Sequence, residues 1–354
     1  MMNAREYSRA SGYLFIFAPP LLLAASTYLV PVLAFLGLIL VLPLLRLVFG
    51  DAPDHQPEWS EGAAQILETL PIAAACSHIA ALLYSVWLLR HDSWSEVGLF
   101  QLGLSLWATF IFASCISHEL LHRRDAVSRF LGRVLSGMIG YPFQEHEHRT
   151  HHGAGAKVDR AEFPAATDSV WQFTARRFRH ILRTTWEGDV QAATRRGHCL
   201  AGGLPLSLAS TAVTALGFGL AAGIQGFVLY AAVTVAVIWT MQAMTYVQHW
   251  GLVMPDEPEN PTVNCAWEDR CQVQAWITLS IAFHQAHHQQ VAVPYYRQSP
   301  TKNAPLQPGG YVVLLFASMA PPLWRALMMP VLMRWREAPE FQSSPGRHLL
   351  CWKR

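Results

Sequence analysis

The chain has 354 residues, of which 52% are hydrophobic and only 14% charged, and its mean hydropathy is positive. Two soluble domains of that total length would need more polar residues to cover their surfaces. The net charge of +2 comes without a basic stripe or tail, which excludes nucleic acid as a partner.

The charges are segregated. Ala10 to Leu45 contains none, and Cys199 to Gln248 lacks even histidine. A membrane span takes roughly 20 apolar residues, so the first run predicts two spans, near residues 11–28 and 30–47. Pro19, Pro20, Pro31 and Pro43 supply bends or the turn. A third span is expected near 67–89, with His78 inside it, and a fourth near 97–117. The second uncharged run predicts a fifth near 200–222 and a sixth near 227–248, joined around Gly223 to Gly226. The apolar stretches Gln272 to Phe283 and Tyr311 to Trp324 are too short to cross and predict interfacial or re-entrant packing.

Orientation follows from lysine and arginine, which favour the cytoplasmic side. Of the 26 basic residues, 13 lie between His118 and His198 and nine from Arg270 onward. Segments 118–198 and 249–354 are therefore expected in the cytoplasm, with both termini, on an inner-membrane, multi-pass protein. The expected fold is all-α: one membrane domain over 1–354, a bundle of about six transmembrane helices with a cytoplasmic histidine-rich helical cap.

Sixteen histidines are the compositional anomaly, because imidazole is the commonest metal ligand. His118 and His122, at i and i+4 after the fourth span, share one helix face. Glu145 to His152 holds His146, His148, His151 and His152. His249 closes the sixth span, and His284, His287 and His288 form a last cluster whose spacing suits one helical stripe. All lie just inside the cytoplasmic edge of the topology derived from charge alone. Nine imidazoles (His118, His122, His148, His151, His152, His249, His284, His287 and His288) exceed the positions around one ion, so two metals are implied, with iron, zinc or copper favoured over magnesium or calcium. A structural zinc site would be closed by four ligands, often thiolates. The six cysteines show no C-x-x-C pair, so neither a disulfide framework nor a rubredoxin-type iron site is indicated.

From Ser117 to about Trp335 the motifs resemble the membrane-bound non-haem di-iron oxygenases of the fatty acid desaturase-like superfamily, in particular the alkane 1-monooxygenase and xylene monooxygenase hydroxylase group. Ser117 to Arg124 resembles that group's first histidine box, Tyr246 to Leu252 its isolated histidine motif and His284 to His288 its last box. Pro300 to Pro308 and Pro321 to Trp324 are similar to the C-terminal part of the xylene-type members. The second box departs from the group's H-x-x-x-H-H: four residues before His151 stands Glu147, and His148-x-x-His151-His152 has the desaturase spacing. Either His148 has taken the role, or His146 or Glu147 binds instead.

The resemblance implies two iron ions, dioxygen as co-substrate and hydroxylation of an unactivated C–H bond in an apolar substrate from the bilayer: an alkane, an alkyl chain or a methylated aromatic. It also implies two electrons from a separate rubredoxin or ferredoxin-type donor with its NAD(P)H reductase, membrane lipids being the other partner. Glu119, Asp159, Glu162 and Asp168 are candidates to hold ligand N–H groups. Glu68 and His78 are costly within a membrane and so functional candidates, and Trp107, Phe110, Trp239, Met241 and Met244 are candidates to line a substrate channel. The rivals are a fatty acyl or lipid desaturase, a carotenoid-type oxygenase and, more remotely, a metal transporter. The transporter is opposed by the absence of ionisable groups from the last two spans.

Overall fold

The computed structural model describes residues 4–55, 57–153, 162–197, 203–252 and 266–337, with only the backbone at residues 4, 5, 152 and 153. Among the described residues there are helices and no strands; two isolated bridges, Asp51 with Cys271 and Glu268 with Leu306, are the extended pairings. We number the main helices α1 (Ala4–Ser11), α2 (Ala18–Tyr28), α3 (Glu61–His91), α4 (Glu96–His122), α5 (Ala126–Met138), α6 (Gln144–Gly153), α7 (Val170–Arg196), α8 (Leu204–His249), α9 (Gln272–Ile277), α10 (His284–Gln289), α11 (Tyr311–Ser318) and α12 (Pro321–Glu337).

Short polar side chains set several of the helix starts. Ser60, Ser95 and Asp125 accept from the backbone N–H groups of Ala63, Gly98 and Ser128, and Ser169 with Gln172 closes a capping box. Each satisfies donors the helix cannot. Four stretches among the described residues are long and apolar enough to cross a membrane: Glu6–Tyr28, Glu61–His91, Glu96–His122 and Leu204–His249. The chain is thus a multi-pass membrane protein. At 1.5 Å per residue the 27 residues of α4 span about 40 Å, more than the roughly 30 Å hydrocarbon core. The surplus carries His118 and His122 beyond the apolar slab.

The 46 residues of α8 would extend about 69 Å if straight. They do not: Ala222 and Gly223 leave helical geometry, Gly223 at φ 61° and ψ −142°. Its neighbour Gly226 packs directly on the Phe218 carbonyl, where a Cβ would collide. The expected joint near Gly223 to Gly226 is therefore a tight turn between two legs. The expected second span, by contrast, is not one regular helix. Residues 33–49 form short pieces, Leu33–Phe35, a π-helical turn Leu36–Val41, Leu42–Leu44 and Arg46–Phe49. Pro43 lacks the N–H a regular helix needs, and side chains serve the backbone instead: Ser26 accepts from Ala34 N at 2.7 Å, and Ser105 donates to Pro31 O at 2.7 Å.

The spanning helices share one core, which includes Leu67, Leu102, Leu106, Phe110, Tyr141 and Val237. A second core under the cap joins Phe173, Tyr246, Trp250, Trp267, Trp324 and Leu332. The stretch from Gln272 to Phe283 is helical only over α9, because Leu279 and Ser280 adopt positive φ. The chain turns there, and α10 follows as a short buried helix. Gly226→Val should lower the thermal midpoint of the purified protein, the overpacking costing about 1–3 kcal/mol, whereas Gly62→Ala, with nothing within 4 Å of its added Cβ, should leave it unchanged or slightly raised.

Candidate metal centre

Four separate segments, α4, α6, α8 and α10, bring eight histidines into two groups. His118, His122, His148 and His287 form one; His151, His249, His284 and His288 form the other, the ligand atoms within each lying within 4.8 Å of one another. In the first, the His118 and His148 rings and the His122 and His148 rings are each 4.2 Å apart between centroids, and His287 stands 4.9 Å from His118. In the second, Nε2 atoms face one another: His151 to His249 at 3.1 Å, His249 to His284 at 3.1 Å, His284 to His288 at 3.2 Å and His288 to His151 at 3.2 Å.

Helical phase explains the division. On α4 the i, i+4 pair stays together. On α6, His148 and His151 are three residues apart and go to different groups, as do His287 and the pair His284 and His288 on α10. The single stripe expected of the last cluster is thus shared between two sites. The alternatives at the second box also separate. His146 packs against Gly188 of α7, away from both groups, and Glu147 is bound by Arg177 and by the Tyr141 hydroxyl. His148 is the residue that joins the first group. The side chain of His152 and all of Asp159 lie outside the described residues.

The donor set suits a metal of the borderline class. Edges of 3.1–3.2 Å place a common centre about 2 Å from each nitrogen, an imidazole–metal bond length. Each neutral imidazole carries a single N–H. His151 directs Nδ1 at Glu162 Oε2, 3.2 Å away, so its N–H is taken there and Nε2 offers a lone pair to the centre. Burial, then the neighbouring imidazoles, hold the His284 pKa well below its usual value, so that ring also stays neutral and able to ligate.

Behind the second group sits a buried ionic cluster. Arg177, 1% exposed at its side chain, pairs with Glu147 and, at 3.2 Å, with Glu162, itself 1% exposed. Arg177 also donates to Gln242 Oε1, and Gln242 Nε2 donates to the Tyr141 hydroxyl at 2.6 Å. Burial keeps the Glu147 carboxyl above the usual carboxylate range despite the guanidinium. Two buried carboxylates around one guanidinium favour further positive charge nearby, which a cation among the histidines would supply. Glu268 is the counterpart under α10: 1% exposed, it accepts from Ala286 N and Thr301 N, each at 2.9 Å. The Pro300 to Pro308 segment thereby holds the last histidine helix.

Of the carboxylates expected behind the ligands, Glu162 takes that position. Glu119 pairs instead with Arg123 at 3.5 Å, and Asp168 with Arg176 at 2.7 Å. Arg177 and Glu268 were not among the candidates. Arg177 stands beside Arg176 and Arg179 in a helix that reads as solvated, and only its register with the buried Phe173, Ile181 and Thr185 marks its inward face. Glu68 lies at the edge, accepting from the Tyr296 hydroxyl at 2.8 Å and pairing with Arg123; His78 is buried in α3 with Nδ1 on the Ala74 carbonyl at 2.8 Å.

A cavity of about 150 Å³ runs from the spanning helices to both histidine groups. Ile39, Ile111, Phe112, Met241, Met244 and Leu315 line its apolar part, while His118, His148, His151 and His284 stand in its inner wall. Met241 and Met244 thus occupy the expected place. Trp107, Phe110 and Trp239 do not line it: Trp107 donates to Thr240 Oγ1 at 2.9 Å, Phe110 is in the membrane core and Trp239 packs on Trp171.

Comparison with known proteins agrees with this architecture. The chain is 25% identical to alkane 1-monooxygenase 2 of Pseudomonas aeruginosa over 331 residues, 87% of this chain and 86% of that protein. It is 25% identical to alkane 1-monooxygenase of Pseudomonas putida over 321 residues, 85% and 79% of the two chains. With the xylene/toluene monooxygenase hydroxylase component of Pseudomonas putida the identity is 25% over 257 residues, 69% of this chain and 66% of the other. Residues 92–317 match the family described as fatty acid desaturase, a stretch that begins just before α4 and takes in every histidine of both groups. On that match the chain belongs to the fatty acid desaturase family.

Proposed function

We propose that this protein is a membrane monooxygenase that holds two non-haem iron ions, one in each histidine group, and hydroxylates a C–H bond of an apolar substrate. The observation that carries the reading is the cavity whose apolar walls come from membrane helices and whose inner wall carries histidines of both groups. The relatives named as alkane and xylene/toluene monooxygenases support an alkane, alkyl chain or methylated aromatic as substrate. The proposed ligands are the eight grouped histidines, with His152 a ninth candidate from its sequence position. Six crossings, with the two legs of α8 as the last pair and the histidine cap in the cytoplasm, agree with the charge distribution. A rubredoxin or ferredoxin-type protein would deliver electrons at that face, since this chain has no C-x-x-C iron site.

Non-haem iron in such a site supplies the activation of dioxygen needed to oxidise an unactivated C–H bond. The protein's own work is positional. Ile111, Phe112, Met241 and Met244 hold an apolar molecule against the histidine wall and keep bulk water out. Glu162 fixes the tautomer and ring plane of His151, and Arg177 gives the buried Glu147 and Glu162 a charged partner.

Desaturation is the second reading, favoured by the three-residue spacing of His148 and His151. Detergent-purified, iron-loaded protein should contain about two irons per chain; after reduction and exposure to oxygen, octane and xylene should yield alcohols. Alkene from a fatty acyl substrate, with no alcohol from either hydrocarbon, would replace the proposal with the desaturase. His249→Ala should retain about one iron per chain, because only one group loses a ligand, and should form no product. Glu162→Gln should weaken the second iron by about 10- to 100-fold, read by chelator competition, with the first iron unaffected. Met244→Trp should leave iron content unchanged and cut turnover of the larger hydrocarbon most; equal loss of iron would show that the residue supports the centre and not the cavity.

A further inference from the structure

Helix α7 meets both legs of α8. At its start, Trp171 packs on Trp239 with ring centroids 5.2 Å apart and donates to Met319 O at 3.1 Å. Toward its other end, Thr185, Gly188 and Asp189 share a small cleft with Gly203 and Leu204. Leu204 precedes Ala222 by 18 residues and Trp239 follows Gly223 by 16. In two antiparallel helical legs both positions are about 24–27 Å from the outer turn. The two ends of α7 therefore sit at similar depth, near the edge of a hydrocarbon core roughly 30 Å thick.

The inward face of α7 carries the buried Phe173, Arg177, Ile181 and Thr185. Its opposite face exposes Leu182, Trp186 and Val190 at four-residue spacing, Trp186 to 65%. Arg179 and Arg183, both exposed, flank this stripe; Arg183 also pairs with Glu187 at 2.8 Å. Helix α12 also exposes apolar residues, Leu323, Leu327 and Met333, with the exposed Arg334 in register with the first two. It adjoins the start of α7, where Arg325 donates to Thr167 O at 3.1 Å. In water such a continuous apolar stripe is costly. At a headgroup layer tryptophan finds both an apolar and a polar surround, and arginine reaches phosphate oxygens while its stem stays among the acyl chains.

We propose that α7 and α12 form a collar that binds the phosphate headgroups of anionic phospholipids on the leaflet next to the metal centre. Trp186 sits in the headgroup zone, and Arg179 and Arg183 engage the phosphates. Because the same helix carries Arg177 on its inner face, the collar sets the depth at which the cap meets the bilayer. This goes beyond the reaction proposed above and does not depend on it.

The test uses the full chain in nanodiscs of phosphatidylcholine with and without phosphatidylglycerol. The emission lost in Trp186→Phe isolates that residue's signal. It should be quenched by lipids spin-labelled near the headgroup and not by aqueous iodide. In detergent, phosphatidylglycerol should raise the thermal midpoint more than phosphatidylcholine does, inorganic phosphate should have no effect, and added salt should reduce the increment. The double variant Arg179→Gln, Arg183→Gln should bind phosphatidylglycerol about 5- to 25-fold more weakly, with its midpoint in phosphatidylcholine unchanged. Iodide quenching of Trp186, equal effects of the two lipids, or protection of Trp186 only by an added acidic redox protein would each overturn the proposal. Should the double variant fail to fold, the Trp186 measurement decides alone.

Discussion

Four imidazole nitrogens held 3.1–3.2 Å apart, three of them on buried residues and the fourth half-buried, are an unfavourable arrangement without a cation, since lone pairs converge where water has little access. Everything around them supplies the constraint. His151 is pinned through Nδ1 by Glu162, and the helix of His284 and His288 is held by Glu268 through Ala286 N. His249 is the last residue of a helix whose final turn, from Thr245 on, is wholly buried. A scaffold of this stiffness would offer a cation preformed donors, so that binding need not also order the chain.

Rigidity has an electrostatic cost that the fold confines to one place. Arg177 serves two carboxylates in the interior, and it does so where α6, α7 and α8 meet. Removing one partner of such a cluster leaves an uncompensated charge and is far more damaging than the net value of the pair suggests. The cluster stands between the cap surface and the cavity: Glu147 and Arg177 are themselves in the cavity wall. An apolar cavity lined by membrane helices thus ends against the polar groups that position the two histidine groups, and the two environments are separated by single side chains.

The lengths of the helices connect the two layers. Because α4 and α8 outrun the hydrocarbon core, their last turns deliver His118, His122 and His249 into the cap without an intervening loop. Helix α7 buries Phe173, Ile181 and the one charged side chain of Arg177, while its outer face mixes the exposed Leu182, Trp186 and Val190 with the exposed Arg179 and Arg183. Arg177 escapes notice in the sequence because it is the single buried charge in a helix whose other arginines lie outside.

The spans at Glu61–His91 and Glu96–His122, the break within Leu204–His249 and the histidine clusters are all legible in the chain itself, because apolar runs and imidazole density are local properties. The irregular course of residues 33–49 is foreshadowed only by Pro43. What composition and spacing cannot decide is partition among neighbours. Whether His148 or His146 turns inward, and whether His287 sides with His118 or with His284, depends on the rotation of short helices packed by distant residues. The same holds for Arg177 and Glu268, whose partners lie in other segments: a buried charge is recognisable only once the surfaces that bury it have met. Local pattern therefore determined the helical membrane architecture and the presence of a metal-binding chemistry. Tertiary packing alone decided which four imidazoles face each centre, because that choice rests on contacts between residues up to 169 positions apart, as between His118 and His287.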